Sequence, residues 1–277
     1  MKLKELPRSI YQSLYLKSLS VDQLLKTPKK EVPVIISLTT IPTRIDKVYI
    51  TLRSILNQSV RPFKLILWLP DTIKSSIPDT LRKLESAVFE IDFTHLTCSH
   101  KKLIHTLKKY PEYPVITADD DLIYDPLWIE KLYTQHEKFP NTIIANQTRK
   151  ISYNTNNQLL PYPKWTYQST SELNDFNVLG IGASGILYPP HCFTEQVFDE
   201  NLFLKLCPKA DDLWFKAMAI INNTPTMMSQ DIPNPPIPIL GTQKVSLKKE
   251  NIGKHKNVDQ WNALQQYFKI DPNILQV

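Results

Sequence analysis

Short apolar segments alternate with amphipathic segments along most of the chain from Val34 onward. Apolar runs bounded by polar or proline-containing turns predict buried strands, and apolar residues at helical spacing predict helices between them. This alternation indicates an α/β domain with a mainly parallel central sheet flanked by helices. The predicted strands are 34–39, 65–69, 89–93, 115–118 and 142–145, and the predicted helices are 46–56, 79–87, 100–109, 126–138, 208–219 and a last one that ends at Phe268.

Three consecutive acidic residues, Asp119 to Asp121, follow the predicted strand 115–118. Asp125-Pro126 then has the pattern of a helix start, with aspartate as N-cap and proline in the first turn. Adjacent carboxylates repel each other and resist burial unless a cation neutralises them. Hard oxygen ligands suit Mg²⁺ or Mn²⁺, and ligands of open α/β sheets lie at the carboxyl ends of strands. The pattern favours a metal site over a solvated acidic loop.

A glycine-rich segment, Gly180-Ile181-Gly182-Ala183-Ser184-Gly185, matches the spacing of the dinucleotide-binding fingerprint. That fingerprint requires a helix that opens at the third glycine. Here the β-prone residues Ile186-Leu187-Tyr188 and then Pro189-Pro190 follow, so we reject that interpretation. Three of the five glycines lie in this segment, which indicates unusual backbone angles or close approach to a ligand.

A second acidic pair, Asp211-Asp212, stands at the start of a predicted helix. The simplest interpretation is that Asp211 caps the helix and that Asp212 interacts with its positive end. Residues 151–177 are rich in Asn, Gln, Ser, Tyr and Pro, with Tyr162, Trp165 and Tyr167 among them. This composition predicts either a binding loop with exposed aromatic rings for stacking on sugars or a disordered insertion.

Residues 1–30 contain seven lysines and arginines and two acidic residues, a net charge of +5 out of +6 for the whole chain. The remainder is nearly neutral, which argues against a nucleic-acid partner. Residues 1–30 form a basic amphipathic arm, because apolar and aromatic residues alternate with the charged ones; these are several leucines, Ile10, Tyr11 and Tyr15. We expect the arm either to lie on an anionic membrane surface or to pack on the body with its lysines in solvent.

The three cysteines, Cys98, Cys192 and Cys207, are far apart in the sequence. This argues against structural zinc and against a disulfide framework, and it suits a reducing, cytoplasmic setting. No apolar run approaches the ~20 residues of a membrane span, and the amino terminus has no continuous apolar signal region. We therefore expect a cytoplasmic protein, at the inner face of the cytoplasmic membrane if the arm binds lipid.

The order of these parts resembles the GT-A-fold glycosyltransferases. It is most similar to small bacterial enzymes, related to family 2-like enzymes, that assemble capsule polysaccharide or lipooligosaccharide. The matching segments run from about Val34 to Phe268, which is most of the chain. They are Ser37–Arg44 at the first strand, Asp119–Asp121 as the Asp-x-Asp motif, Gly182–Gly185 before the acceptor region, Asp211-Asp212 at a helix start, and a late histidine, His255.

The resemblance implies a metal-dependent, inverting transfer from a nucleotide-sugar donor to a glycan or lipid-linked glycan acceptor. It implies one catalytic domain at 31–277, with a nucleotide-binding half at 31–150 and an acceptor-binding half at 151–277. The implied roles are metal binding by Asp121, Asp119 and His255; donor or nucleotide binding by Thr39, Thr40, Arg44, Asp71, Lys102, Asp119 and Asp120; acceptor binding by Gly182, Ala183 and Ser184; general-base catalysis by Asp212; and orientation of the acceptor and base by Asp211. From the aromatic composition of residues 151–177, we also expect Trp165 to bind the acceptor sugar.

One departure from the family pattern concerns the second strand. It ends Leu69-Pro70-Asp71 instead of in paired acids, so recognition of the nucleotide base is open. Two other classes also remain open, a metal-dependent nucleotidyltransferase and a non-catalytic glycan- or membrane-binding module. A nucleotidyltransferase would often carry a glycine-rich loop after its first strand, and Thr40–Arg44 contains no glycine.

Overall fold

The structure is a computed structural model that describes residues 5–167, 176–242 and 256–275. All five predicted strands are present, with boundaries that differ by a few residues. Several short strands that the apolar pattern did not predict connect and flank them. The strands are β1 (Glu31–Thr39), β2 (Arg61–Pro70), β3 (Phe89–Thr94), β4 (Val115–Ala118), β5 (Leu122–Ile123), β6 (Ile143–Ala145), β7 (Thr148–Lys150), β8 (Thr166–Tyr167), β9 (Val178–Gly180), β10 (Ile186–Tyr188), β11 (Thr226–Met228) and β12 (Ile237–Pro238).

The helices follow the predicted order, and most of them differ in where they begin or end. The helices are α1 (Leu6–Ser18), α2 (Val21–Lys26), α3 (Val48–Leu56), α4 (Asp79–Arg82), α5 (Lys101–Lys109), α6 (Trp128–Lys138), α7 (Glu200–Leu206), α8 (Asp211–Ile221) and α9 (Lys256–Phe268). Of these, α5 and α6 lie against the central sheet, as amphipathic helices of α/β domains do, whereas α1 and α2 pack on α3, and α9 packs on α7 and α8.

The helix predicted to start at Pro126 begins two residues later, at Trp128. Asp125 is not its N-cap. Its side chain accepts a hydrogen bond from the Leu127 N–H (2.9 Å), and its carbonyl accepts one from the Trp128 N–H (3.0 Å). These bonds close a turn before the helix, so the capping interpretation of Asp125 is wrong.

Two other predicted helix boundaries are also wrong. The helix expected from Asp46 starts at Val48, with no side-chain cap. The helix expected over 79–87 ends at Arg82 because the chain turns before β3. In that turn the Ser86 N–H donates to the Phe89 carbonyl (2.9 Å), and the Phe89 N–H donates to the Ser86 hydroxyl (3.2 Å).

The central sheet has seven strands in the order β11-β6-β10-β4-β1-β2-β3. Neighbouring strands in this sheet are parallel, except that β10 is antiparallel to both β4 and β6. The predicted α/β class, with a mainly parallel sheet flanked by helices, is therefore confirmed. The segments 31–150 and 151–277 share this one sheet, since β10 from the second inserts between β4 and β6 from the first.

Alternation along β1 distributes its side chains to two hydrophobic cores. Ile35 belongs to the core that also contains apolar residues of α5, α8 and α9. Val34, Ile36 and Leu38 belong to the core on the other face, with residues of α3 and α6. Because both faces are covered, the buried positions from Val34 to Leu38 are apolar on both sides of the strand, with Ser37 as the exception.

The amino-terminal helices pack on the body. Leu16 and Leu24 are buried, and the Arg53 guanidinium donates to the Leu16 carbonyl (2.6 Å) and to the Leu19 carbonyl. Of the two arrangements expected for the amino-terminal arm, the structure shows packing on the domain for residues 5–26. Among the residues that the structure describes, no helix has the length and apolar character needed to cross a membrane.

Candidate functional site at the carboxyl edge of the sheet

The carboxyl ends of parallel strands meet at one edge of the sheet, where open α/β domains bind ligands. β1 ends there at Thr39, β2 leads there into Asp71, and β4 leads into Asp119. Because β10 runs in the opposite direction, the loop that precedes it, Gly182–Gly185, reaches the same edge. The strand order thus collects the acidic triplet, the first-strand loop and the glycine segment in one place.

Asp120, the middle acid, is bonded to the first-strand loop. One carboxylate oxygen accepts from the Arg44 Nη1 atom at 2.6 Å, and the other accepts from the Thr40 hydroxyl. Burial raises the pKa of Asp120, while Arg44 and Thr40 lower it and keep the charge compensated. The Thr51 hydroxyl also donates to the Asp120 carbonyl (2.9 Å). Both carboxylate oxygens therefore hold the loop and the acidic turn together.

Arg44 also contacts Asp121, at 3.2 Å between Nη2 and Oδ2. Burial alone would lower the pKa of Arg44, but Asp120 and Asp121 raise it, so the guanidinium remains charged. One cation thus serves two adjacent carboxylates. A side chain of the protein itself thereby offsets the repulsion between the Asp120 and Asp121 carboxylates.

The third carboxylate of the triplet, Asp119, pairs with Lys102. The Lys102 Nζ atom lies 3.1 Å from Asp119 Oδ1 and 3.4 Å from Asp211 Oδ2. Burial tends to lower the pKa of Lys102, but Asp211, Asp119 and Asp212 raise it well above its usual value. Lys102 is therefore a buried link between the triplet and the second acidic pair, and its approach to the donor stays a prediction.

A polar residue inside β1 fixes the position of Lys102. The Ser37 hydroxyl donates to the Lys102 carbonyl and bonds the Thr106 hydroxyl at 2.8 Å. The Trp68 indole also donates to Thr106 (2.7 Å). Buried polar atoms are costly unless they are paired, so these bonds tie α5 to the sheet in one register.

The acidic pair opens α8, but the capping interpretation of Asp211 is wrong. The N-cap residue is Ala210 and no side chain caps the helix. Asp211 is buried and directed to Lys102 instead. Burial would raise the pKa of Asp211, but the Lys102 charge lowers it, so this carboxylate stays ionised.

Asp212 has a different environment from its neighbour. Burial, and then the charge of Asp211, raise the pKa of Asp212 to about 7. Its Oδ2 atom accepts a hydrogen bond from the Gly182 N–H at 3.0 Å. A Cβ atom at residue 182 would lie only 3.0 Å from Asp212 Oδ1, which explains the glycine. The glycine segment and the acidic pair, far apart in sequence, are therefore in direct contact.

Backbone carbonyls of the glycine segment are held by aromatic side chains. The Trp128 indole donates to the Ser184 carbonyl (2.9 Å), and the Tyr124 hydroxyl donates to the Ala183 carbonyl (3.4 Å). The Ser184 hydroxyl in turn donates to the Gln147 side chain (3.0 Å). The rejection of the dinucleotide fingerprint is confirmed, since Gly182–Ser184 form a single 3₁₀ turn and a strand, β10, follows Gly185 where the fingerprint requires a helix.

Gly185 adopts a positive φ of 97°, and an added Cβ atom would overlap the Trp128 indole. We expect Gly185→Ala to lower the free energy of unfolding by about 3 kcal/mol, through backbone strain and overpacking. Gly180→Ala is the comparison variant, because residue 180 needs no positive φ and its Cβ would meet the movable end of Ile186 at 2.9 Å and the Ala145 Cβ atom at 3.1 Å; it should cost less, about 1–2 kcal/mol. Equal losses in urea denaturation would contradict this assignment.

Several predicted site residues lie elsewhere or have other partners. Trp165 is buried, with its indole bonded to the Leu160 carbonyl (2.8 Å), so its expected role as an exposed stacking ring is wrong. Tyr162 is buried too, whereas Tyr167 is exposed. The Thr39 hydroxyl donates to the Trp68 carbonyl (2.8 Å).

Two further predicted site residues are Asp71 and His255. Asp71 is exposed at the start of a 3₁₀ turn after β2. His255, the expected late metal ligand, lies outside the described residues, as do residues 168–175 of the segment expected to form a binding loop. In the described part of that segment, β8 pairs antiparallel with β7, and Tyr153 and Leu159 form an isolated antiparallel bridge.

Tyr124 is a site residue that the sequence did not indicate. Its hydroxyl accepts a hydrogen bond from the Asp119 N–H at 2.7 Å. Burial, and then Asp119, raise the pKa of Tyr124 well above its usual value, so the phenol is neutral. It joins the acidic turn to the glycine segment. An aromatic residue after a strand gives no local signal for this role, because core tyrosines have the same pattern.

The acidic turn fits a divalent metal only in combination with other ligands. Among the described residues there is no group of three His, Cys, Asp or Glu side chains suited to hold a metal ion. Asp119 and Asp121 offer two carboxylates with hard oxygen atoms, and the Asp119 side chain is 35% exposed. Mg²⁺ is commonly bound by one or two carboxylates together with substrate phosphates and water. The residues therefore fit a metal that binds together with a diphosphate.

Comparisons with known proteins give structural similarity alone. No protein-family model matches the sequence, and no curated protein matches it significantly. S. aureus TarS 1-349 superposes with a TM-score of 0.47 and 14% identity over 74% of this chain, which spans 59% of the TarS chain. The 4-diphosphocytidyl-2C-methyl-D-erythritolsynthase from Anaerococcus prevotii DSM 20548 gives a TM-score of 0.46 and 12% identity, over 83% of this chain and 96% of that one. Similarity at this level carries no argument about activity.

Proposed function

We propose that this protein is a metal-dependent GT-A-type glycosyltransferase that moves a sugar from a nucleotide-sugar donor to a glycan or glycolipid acceptor with inversion. The observation that carries the proposal is the arrangement of the acidic pair: Asp211 lies 3.4 Å from the Lys102 Nζ atom, and Asp212 accepts a hydrogen bond from the Gly182 N–H at 3.0 Å. Asp211 is held ionised by Lys102, while the pKa of Asp212 is raised to about 7. Two carboxylates whose environments separate their pKa values are typical of acid–base catalysis.

Asp212 is the general base of this proposal. A carboxylate with a pKa near the working pH is both deprotonated and basic enough to accept the proton of an acceptor hydroxyl. The ionised Asp211 beside it contributes to the raised pKa, and the Gly182 N–H holds the accepting carboxylate in place. A base on the acceptor side suits a single displacement, which inverts the anomeric centre.

Asp119 and Asp121 are the donor-side residues of the proposal. When bound there with the donor, Mg²⁺ or Mn²⁺ would act as a Lewis acid toward the leaving diphosphate. Lys102 holds Asp119 at the edge of the sheet, and Arg44 does the same for Asp121. Thr40 and Asp120 then have an indirect role, because they fix the Arg44 loop.

Incubation with a panel of nucleotide sugars, with and without Mn²⁺, tests the proposal. We expect one donor to raise the melting temperature only with metal, by mass action, and to be hydrolysed slowly. A nucleotidyltransferase would instead join a nucleoside triphosphate to a sugar phosphate and release pyrophosphate from the triphosphate. A binding module would show neither reaction. Either result would replace the glycosyltransferase proposal.

We further propose that the acceptor is membrane-borne, as in capsule or lipooligosaccharide assembly at the inner face of the cytoplasmic membrane. The support is the outer face of α1, where Tyr11 is 67% and Leu14 is 61% exposed. Ile10 and Tyr15 flank them, and residues 1–30 are strongly basic. Exposed aromatic and aliphatic side chains in a basic segment favour an anionic lipid surface.

Replacing two residues on that face tests the membrane contact without removing the packed helix. We expect the double variant Tyr11→Glu, Leu14→Glu to lose most of its sedimentation with anionic vesicles, and wild-type binding to weaken with salt. The control is Leu204→Glu, Ile232→Glu, which adds the same charge at exposed apolar residues elsewhere. Equal losses in both variants would attribute the binding to net charge and contradict a specific face.

A further inference from the structure

A cavity of about 600 Å³ lies between the segment 153–159 and α9, and it shares no residue with the site around Asp212. Its size is that of a small-molecule site. Carboxamides dominate its lining, together with Tyr153, Leu159, Ile270 and one charged residue, Lys269. The carboxamides are those of Asn157, Gln158, Asn262, Gln265 and Gln266.

Hydrogen bonds hold the two walls of this cavity together. The buried Trp261 indole donates to the Tyr153 hydroxyl (2.9 Å), and that hydroxyl donates to the Gln265 carboxamide (3.0 Å). Asn157 and Lys269 adopt left-handed backbone angles, with φ of 58° and 53°. Such angles are uncommon in residues other than glycine, so both rims of the cavity depend on turns that the surrounding structure maintains.

The lining chemistry favours an uncharged, hydroxyl-rich ligand. A carboxamide presents a donor group and an acceptor group on one planar end, which matches adjacent sugar hydroxyls that both donate and accept. Among the described residues, those that line the cavity include no carboxylate, so they offer little to a cation. Leu159 and Ile270 add apolar contact surface for the C–H faces of a sugar ring.

We propose that this cavity binds an uncharged saccharide unit of the acceptor, remote from the unit that receives the new sugar. The inference rests on the proposed function. The segment 153–159 continues from β7, which pairs with β9, and β9 leads directly to the Gly182 loop. α9 packs on α8, which begins with Asp211 and Asp212. Two ordered connections therefore link the cavity to the reaction centre.

Saturation-transfer NMR and titration with uncharged tri- to hexasaccharides of glucose, galactose and N-acetylglucosamine test this proposal. We expect the wild type to bind at least one of them, and the variant Asn262→Ala, Gln266→Ala to bind it at least tenfold more weakly. Asn201→Ala, Gln230→Ala is the matched control, because it removes two exposed carboxamides outside the cavity and should bind as the wild type does.

Donor-dependent stabilisation and donor hydrolysis are measured on the same samples. They test the proposed function alone and should be unchanged in Asn262→Ala, Gln266→Ala. No binding of any saccharide by an otherwise donor-active wild type would overturn the inference, as would equal binding by the cavity variant. A pool of uncharged hexapeptides is the competing probe. If the wild type and the control variant bind the peptides and the cavity variant does not, the cavity is a peptide site and the proposal is also overturned.

Discussion

Asp212→Asn is expected to lower turnover by about 10²–10⁴-fold, the usual contribution of a general base. Asparagine has nearly the same shape, and its carbonyl oxygen can still accept the hydrogen bond from the Gly182 N–H. The fold and the donor affinity should therefore remain close to those of the wild type. Product formation with saturating donor, and donor-induced thermal stabilisation, measure the two properties separately.

The raised pKa of Asp212 gives this prediction a pH dependence. The base is active only when deprotonated, so turnover should rise as the pH increases through about 7. The folded protein also retains a proton on Asp212 between about pH 4 and 7 that the unfolded chain has released. The contribution of Asp212 to stability therefore declines as the pH rises through that window, and Asp212→Asn should flatten this part of the curve.

Asp211→Asn is the control within the same pair. Removing this charge leaves the buried Lys102 with Asp119 as its remaining direct carboxylate partner among those described, which should cost about 3 kcal/mol of stability. Turnover should fall less than in Asp212→Asn. NMR of the product decides the stereochemistry. A retained anomeric configuration would remove the need for a base, and Asp212 would then have only a structural role.

The strands were predictable because β1, β2 and β4 are apolar along nearly their whole length, as strands covered on both faces must be. Helix starts were not. Asp125 and Asp211 stand before amphipathic segments and have the pattern of caps, yet each has a tertiary partner. Asp125 binds Asn234 at 2.6 Å, and Asp211 pairs with Lys102. Sequence pattern alone cannot tell a local cap from a carboxylate that another element binds.

The carboxylates of the candidate site were also predictable, because clusters of acids at element ends are visible in the sequence. Their cations were not. Arg44 and Asp120 are 76 positions apart, and they meet only because β1 and β4 are neighbours in the sheet. The contact between Gly182 and Asp212 similarly depends on the antiparallel direction of β10. Strand order, which local patterns do not encode, decides which charges compensate each other.

Asp121→Asn is expected to abolish transfer and metal-dependent nucleotide binding. The variant replaces one of two carboxylates available to a metal that binds with the donor diphosphate, and a neutral amide is a much weaker ligand for Mg²⁺. The fold should be retained, because Arg44 keeps its 2.6 Å contact with Asp120. Calorimetric titration of a nucleoside diphosphate, with and without Mn²⁺, measures the expected loss directly.

Asp120→Asn is the matched control, since it removes the same charge one position earlier in the same turn. Asp120 already bonds Arg44 and Thr40, so its loss should lower the free energy of unfolding by about 1–3 kcal/mol. Metal-dependent nucleotide binding should persist at temperatures where the variant is folded. The opposite pattern, with binding lost in Asp120→Asn and unchanged in Asp121→Asn, would exchange the two assignments. Unchanged Mn²⁺-dependent binding in both variants would remove Asp120 and Asp121 from the metal site and contradict a metal site that needs two carboxylates of this turn, because Asp119 would be its only acid still assigned to the metal.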